Sequence, residues 1–200
     1  MNTRILLENI PYGKEYLQSL IEAMQQSKVL EIDYQPFGCH RDTYHVELYG
    51  MKIYHYRWYI VGWLKEKIAI RHLALDRILD MKQTKDSYVA PKTFDIEKYY
   101  ANTVGIFVNH DLKPQKVRIR VYGKQVDNLR TLPLHRSQEE MLTKLDKYSE
   151  FQYRLCLTPE LSTQLLAMGE NVEVLQPEEL RGDIKKRLED CLVRYSENNT

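Results

Sequence analysis

Between residues 28 and 73 apolar and polar side chains alternate with a period of two, and that pattern admits little besides half-buried antiparallel strands. In VLEIDY, Leu30, Ile32 and Tyr34 alternate with Glu31 and Asp33. In YHVEL, Tyr44, Val46 and Leu48 alternate with His45 and Glu47. In YHYRWYIVGW, Tyr54, Tyr56, Trp58 and Ile60 make one face, and His55, Arg57, Tyr59 and Val61 make the other. In KIAIRHL, Ile68 and Ile70 sit opposite Arg71. Turns are expected at Pro36, Gly38, Gly50 and the polar Lys65-Glu66-Lys67 run. The aromatic usage fits strands with one wet face: 15 Tyr stand against 4 Phe and 2 Trp, and Tyr44, Tyr49, Tyr54, Tyr56 and Tyr59 cluster here. Short strands this close together predict a small antiparallel barrel.

On either side the period changes. Leu17, Leu20, Ile21 and Met24 form one helical stripe within residues 14–27. Residues 86–115, with Pro91 and Pro114 and the polar run NHDLKPQ, hold the junction between domains. The expected organisation is a linker and helix over 1–27, a barrel over 28–90, a linker over 91–115 and a second domain over 116–200. That second domain reads as βαββαβα, a small α+β sandwich. In it Thr158 caps a helix that starts at Pro159 and stops near Gly169. A final amphipathic helix follows, with Leu180, Ile184, Leu188, Leu192 and Tyr195 on one stripe. Residues 196–200 are expected to fray.

Composition narrows the function classes. The 29 basic and 28 acidic residues leave a net charge of +1, which excludes a globally basic nucleic-acid coat but not a local basic patch. Cys39, Cys156 and Cys191 are sparse, odd in number and without CxxC pairing, against both a disulfide scaffold and a zinc site. His40, His45, His55 and His72 share the barrel region without metal-ligand spacing, so neither metal nor cofactor is expected. No apolar run suits a secretory signal or a membrane span, and the default location is the cytoplasm. His135-Arg136-Ser137-Gln138 places a histidine beside a serine, yet no nucleophile elbow or Gly-rich loop accompanies them. The chain is therefore expected not to be an enzyme.

The segment RWYIVGW followed by IRHLALDRI resembles the signature of the WYL-domain family, the triplet here being Trp58-Tyr59-Ile60. Arg71, Leu75, Asp76, Arg77 and Ile78 match the family's Arg-x-x-x-Leu-Asp-Arg-Ile segment. LPLHRSQ, LAMGENVEVLQPEELR and the closing helix resemble the C-terminal extension called WCX. The resemblance runs from about residue 8 to 195. It implies an α+β chain in which a helix precedes a small SH3/Sm-like barrel and the WCX sandwich follows. It also implies transcription regulation, with the barrel sensing a nucleic-acid or nucleotide-like ligand and the WCX part carrying homodimerisation. Regulators of this type place a winged helix-turn-helix ahead of the barrel. Only about 13 residues precede the first helix here, so the chain is either a fragment or a short member; starting at the family's linker favours a fragment.

The residues themselves suggest where a ligand would sit. If strands 56–63 and 67–73 form a hairpin, Arg57, Tyr59 and Arg71 share one exposed face, with Arg77 following and Lys52 and His55 nearby. Guanidinium forks beside a phenol suit a phosphate, and tyrosine can stack a base. The resemblance carries the family's arginines onto Arg71 and Arg77. Arg77, directly after Asp76, reads equally as a partner in local ion pairing. Arg118 and Arg120 share the outward side of one strand, as an extended basic surface or as solubility devices. Under the resemblance His135 and Ser137 lie in a connection between WCX strands, with a structural or ligand-gating role. The alternative to a ligand sensor is a protein–protein assembly module.

Overall fold

The computed structural model describes residues 12–144 and 147–197. Expectations for the linker residues 1–11 and for fraying at 198–200 lie outside the described residues. The chain divides into two units between Tyr99 and Tyr100, and each has its own antiparallel sheet and its own core.

In the first unit a short 3-10 turn, Lys14–Tyr16, leads into α1 (Leu17–Gln25). The strands are β1 (Lys28–Tyr34), β2 (Asp42–Tyr54), β3 (Arg57–Leu64), β4 (Ala69–Ala74) and β5 (Ile78–Ser87), followed by the single turn α2 (Ile96–Tyr99). The period-two reading of β1 and β2 holds: Leu30, Ile32, Val46 and Leu48 are buried while Glu31 and His45 are half-exposed. α1 lays Leu20 and Ala23 onto that face, with Leu17 and Met24 at its margin. Burying each such leucine is worth roughly 1.5–3 kcal/mol.

Four expectations are corrected. First, the sheet has the open order β4-β3-β2-β1-β5. A closed barrel needs a ladder joining β4 to β5, and none forms among the described residues. A 3-10 turn, Leu75–Arg77, separates those two strands, and β5 pairs with β1 instead. Second, YHYRWYIVGW is not one strand. The chain reverses at His55-Tyr56, and Tyr54 pairs with Arg57. Third, Gly50 is not a turn. β2 runs straight through it, with a bulge between Leu48 and Gly50. A Cβ on Gly50 would lie 2.7 Å from the Ile96 side chain, so the missing side chain lets α2 approach the strand. Fourth, Ile68, expected to face the core, is instead left-handed (φ 49°) and exposed at the end of the Lys65–Lys67 turn.

The second unit is β6 (Gln115–Tyr122), α3 (Gln125–Thr131), β7 (Glu139–Lys144), β8 (Tyr148–Leu155), α4 (Pro159–Leu166), β9 (Val172–Gln176) and α5 (Glu178–Glu197). This is the βαββαβα order read from the sequence. The sheet order is β7-β8-β6-β9. Val117, Ile119 and Val121 of β6 and Phe151, Tyr153 and Leu155 of β8 build one core with α3, α4 and the start of α5. Thr158 caps α4, accepting from the Leu161 amide at 3.3 Å, and Gly169 turns the chain with φ +59°. Among the described residues no helix is long and apolar enough to cross a membrane.

Candidate ligand-binding cleft

The β2–β3 turn is a two-residue reversal with both residues at positive φ, His55 at 47° and Tyr56 at 56°. Such turns match the twist of a hairpin but favour Asn-Gly, because a side chain in the left-handed region costs about 1–2 kcal/mol. A histidine is tolerated there better than most residues; a tyrosine is rare. Strain of this kind survives where the surroundings impose it and gathers at binding sites. Here it projects an exposed Tyr56 ring over a cleft of about 440 Å³ lined by Tyr12, Phe37, His55, Tyr56, Arg57 and Asp76. That volume falls in the range of small-molecule sites.

The polar side of the cleft is an ion pair. Arg57 Nε donates to Asp76 Oδ2 at 3.0 Å, with Arg57 38% exposed and Asp76 12% exposed. Arg57 also donates to the Tyr59 hydroxyl; that bond, aided by Asp76 and opposed by desolvation, holds the guanidinium pKa above its ordinary value. Asp76 Oδ1 is buried and has no hydrogen-bond partner among the described residues. Asp76 rides on the 3-10 turn between β4 and β5, and the turn is clamped from two sides. Gly13 (φ +86°) lies so close that a Cβ there would meet Leu75 Cβ at 2.4 Å, which sets Tyr12 beside the cleft. Arg77 stacks its guanidinium 4.2 Å from the Phe37 ring centre, hydrogen-bonds Tyr34, and accepts the Gln35 amide on its carbonyl at 3.1 Å.

The six expected site residues thus separate. His55 and Arg57 line the cleft and Arg77 braces its wall. Tyr59, expected to be the exposed ligand contact, is 7% exposed and acts from beneath by holding Arg57. That face of the sheet is not wet as the alternation suggested, because residues 88–99 fold over part of it. Tyr49 meets Tyr88 and Phe94 with ring centres 6.0 and 5.2 Å apart, and His72 meets Tyr99 at 5.6 Å. Lys52 pairs across from Tyr59 on that side, and its charge falls on His72. Arg71 does not join them. The register sets Tyr59 opposite Ala74 and Gly62 opposite Arg71, which sends Arg71 to the other face, exposed, with its guanidinium on the Ile70 carbonyl.

Tyr12, Phe37, Tyr56 and Asp76 were missed as site residues. The alternation puts Tyr56 inside a strand, and the position of Asp76 directly before Arg77 suggests only local ion pairing. Length gives no signal for the reversal at Tyr56, since the neighbouring β2 runs 13 residues against ten in YHYRWYIVGW.

The other candidates are structural. Ser137 accepts from the Arg154 amide at 3.1 Å, its own amide donates to His135 Nδ1 at 3.1 Å, and Gln138 ties the Leu129 carbonyl to the Tyr153 hydroxyl. These bonds staple the connection before β7 onto β8. Arg118 and Arg120 are not a free basic surface either: both donate to the buried Glu150 at 2.7 Å. Among the described residues no group of three or more His, Cys, Asp or Glu could hold a metal ion.

Comparison with known proteins agrees with this architecture. The WYL domain model matches residues 15–83 and the WCX domain model matches residues 113–192. The chain belongs to the WYL-domain family and carries the WCX domain behind its WYL domain. No curated protein matches it. Among solved structures it is similar to a CRISPR Cas-related protein, with 11% identity and a TM-score of 0.53, over 91% of this chain and 51% of that one. It also matches proteasome accessory factor B/C (PafBC) of Arthrobacter aurescens, with 18% identity and a TM-score of 0.45, over 94% of this chain and 28% of that one. The chain therefore spans about half of one of these proteins or less. At such identity the likeness to the Cas-related protein shows the fold alone.

Proposed function

We propose that the chain is the ligand-sensing regulatory module of a WYL-type transcriptional regulator. Its first unit binds a nucleotide-like ligand or single-stranded nucleic acid, and the bound state passes to a DNA-binding domain. The observation that carries this reading is the cleft itself: exposed Tyr12, Phe37 and Tyr56 rings beside an arginine held in place by Asp76 and Tyr59. Aromatic platforms with a fixed guanidinium recognise bases and their phosphates on many scaffolds. The module is not an enzyme in this reading. It acts in the cytoplasm, where a transcriptional regulator meets its operator. Binding shifts such a regulator only by the difference in affinity for its two states.

The test is titration of labelled single-stranded oligonucleotides and of nucleotides against the chain and its Arg57→Ala variant. Binding should weaken at least tenfold in the variant, as for loss of a charge-assisted contact of about 1.5–3 kcal/mol. Affinity should fall as salt rises if phosphates are also met. Binding unchanged by Arg57→Ala would reject the site.

A second reading, an assembly module, is favoured by α5. Its first turns pack through Leu180 and Ile184, but Leu188, Leu192 and Tyr195 continue the stripe in the open. A homodimer through that stripe predicts a dimer in light scattering that Leu192→Asp dissolves.

A further inference from the structure

The cleft is aromatic but its charges cancel. Of its six lining residues, with histidine neutral, Arg57 carries one positive charge and Asp76 one negative charge. A phosphate brought to Arg57 would sit beside a carboxylate whose side chain is 88% removed from solvent, where like charges repel more strongly than in water. Asp76 Oδ1 is shut away from solvent, so what the pair offers a ligand is Oδ2 beside the Arg57 guanidinium, an acceptor next to a donor. A ligand edge carrying both a donor and an acceptor meets that pair, and an anion does not.

We propose that this cleft reads a neutral planar base, and specifically the Watson–Crick edge of guanine, rather than a phosphate. The inference rests on the reading of the cleft as the ligand site. Guanine presents one acceptor, O6, next to two donors, N1–H and the 2-amino group. Arg57, with N–H groups beyond those on Asp76 and Tyr59, donates to O6. Asp76 Oδ2 accepts from the two donors, which lie side by side on that edge. The ring lies against the exposed aromatics. Phe37 is prepared for this, because Arg77 already fixes one face of its ring at 4.2 Å and leaves the other for a base. Phosphates of a nucleotide or strand then project out of the cleft, where they add affinity without sharing space with Asp76.

The experiment is isothermal titration of the full chain with guanosine, inosine, ribose 5-phosphate and guanosine 5′-monophosphate. Guanosine should bind with little salt dependence. Ribose 5-phosphate should not bind. Inosine, which lacks the 2-amino donor, should bind about tenfold more weakly or worse. Phe37→Ala should weaken guanosine about tenfold while the melting temperature stays put, since Phe37 is exposed. Asp76→Asn should erase the preference for guanosine over inosine. Failure of guanosine to bind overturns the inference. If guanosine 5′-monophosphate or an oligonucleotide then still binds in an Arg57-dependent way, the nucleotide-like reading survives without it. If none of these bind, both readings fall together.

Discussion

The two sheets solve the same packing problem and leave opposite surfaces behind. Each buries one face under helices, α1 in the first unit and α3, α4 and α5 in the second. On the second sheet the other face is closed electrostatically. Glu150 lies between Arg118 and Arg120, and Glu173 joins Arg120 at 3.5 Å and Arg181 at 2.9 Å. Each of these arginines already has its carboxylate, so little remains to recruit a ligand. Among the described residues buried polar atoms stay unmet on both sheets, Arg118 Nε and Gln152 Oε1 on the second and Asp76 Oδ1 beside the first, so the difference lies elsewhere. On the first, aromatics stay exposed around the Arg57–Asp76 pair and a turn is held in a costly conformation. The contrast separates charges that belong to the fold from charges that wait for something else. Counting arginines along the chain could not make that distinction.

Acid should take the two units apart in order. Burial, helped by Lys52 and Arg71, lowers the His72 pKa from 6.5 to about 4. Between those values the unfolded chain takes up a proton that the folded first unit resists. Stability therefore falls as pH drops through 6.5 to 4, by up to roughly 3 kcal/mol, and levels off below. The second unit answers lower down. Arg130 leads the groups that hold Glu140 at about 2 against an ordinary 4.5, and its contribution is lost only as pH falls from 4.5 towards 2. Both tryptophans, Trp58 and Trp63, lie in the first unit, so urea titrations followed by tryptophan fluorescence report on it alone. The urea midpoint seen by tryptophan should drop between pH 6.5 and 4.5, and the far-ultraviolet trace, to which both units contribute, should split into two steps over that window. His72→Gln should remove the drop; a midpoint flat across that window in the native chain would contradict the account of His72.

Gly13→Ala strikes the same unit from its first turn. The new Cβ would overlap Leu75 in a backbone region that disfavours side chains, for an expected loss of about 2 kcal/mol. Because Leu75 adjoins Asp76, ligand affinity should fall with it. Glu150→Ala is the matching test on the other sheet. It strands Arg118 and Arg120 side by side, and with both about one-third exposed the loss is discounted to about 2 kcal/mol at most. Ligand affinity should not move. A Glu150 variant that weakened ligand binding would mean the second sheet's network is part of the site.

How legible all this was depends on what each element rests on. The order of strands and helices in the second unit, and the cores of β1 and β2, follow from alternation and caps that any one segment carries by itself. The open sheet did not follow, because closure is decided by which edge β5 chooses, a long-range matter. The faces of Arg71 and Tyr59 did not follow either. A register is set by pairing, and a shift of one residue moves a side chain to the opposite face. Once β3 begins at Arg57 and Tyr59 meets Ala74, Arg71 has no choice. Arg57 was found because the triplet marked its strand; Phe37 and Tyr12 were not, since only the folded chain brings them to Arg57.

The smallest expected change in stability makes the sharpest test of the comparison. If the His55-Tyr56 turn is kept strained for a ligand, then relieving it should separate stability from binding. His55→Asn combined with Tyr56→Gly installs the pair that such turns prefer and should stabilise the first unit by about 1 kcal/mol. The same change removes an aromatic wall of the cleft, so affinity for the ligand should fall about tenfold. A more stable chain that binds less well is the outcome expected of a turn shaped by its function. If the double variant were instead less stable, the turn's residues would be serving the fold. The first sheet would then resemble the second, with its irregularities consumed by its own packing.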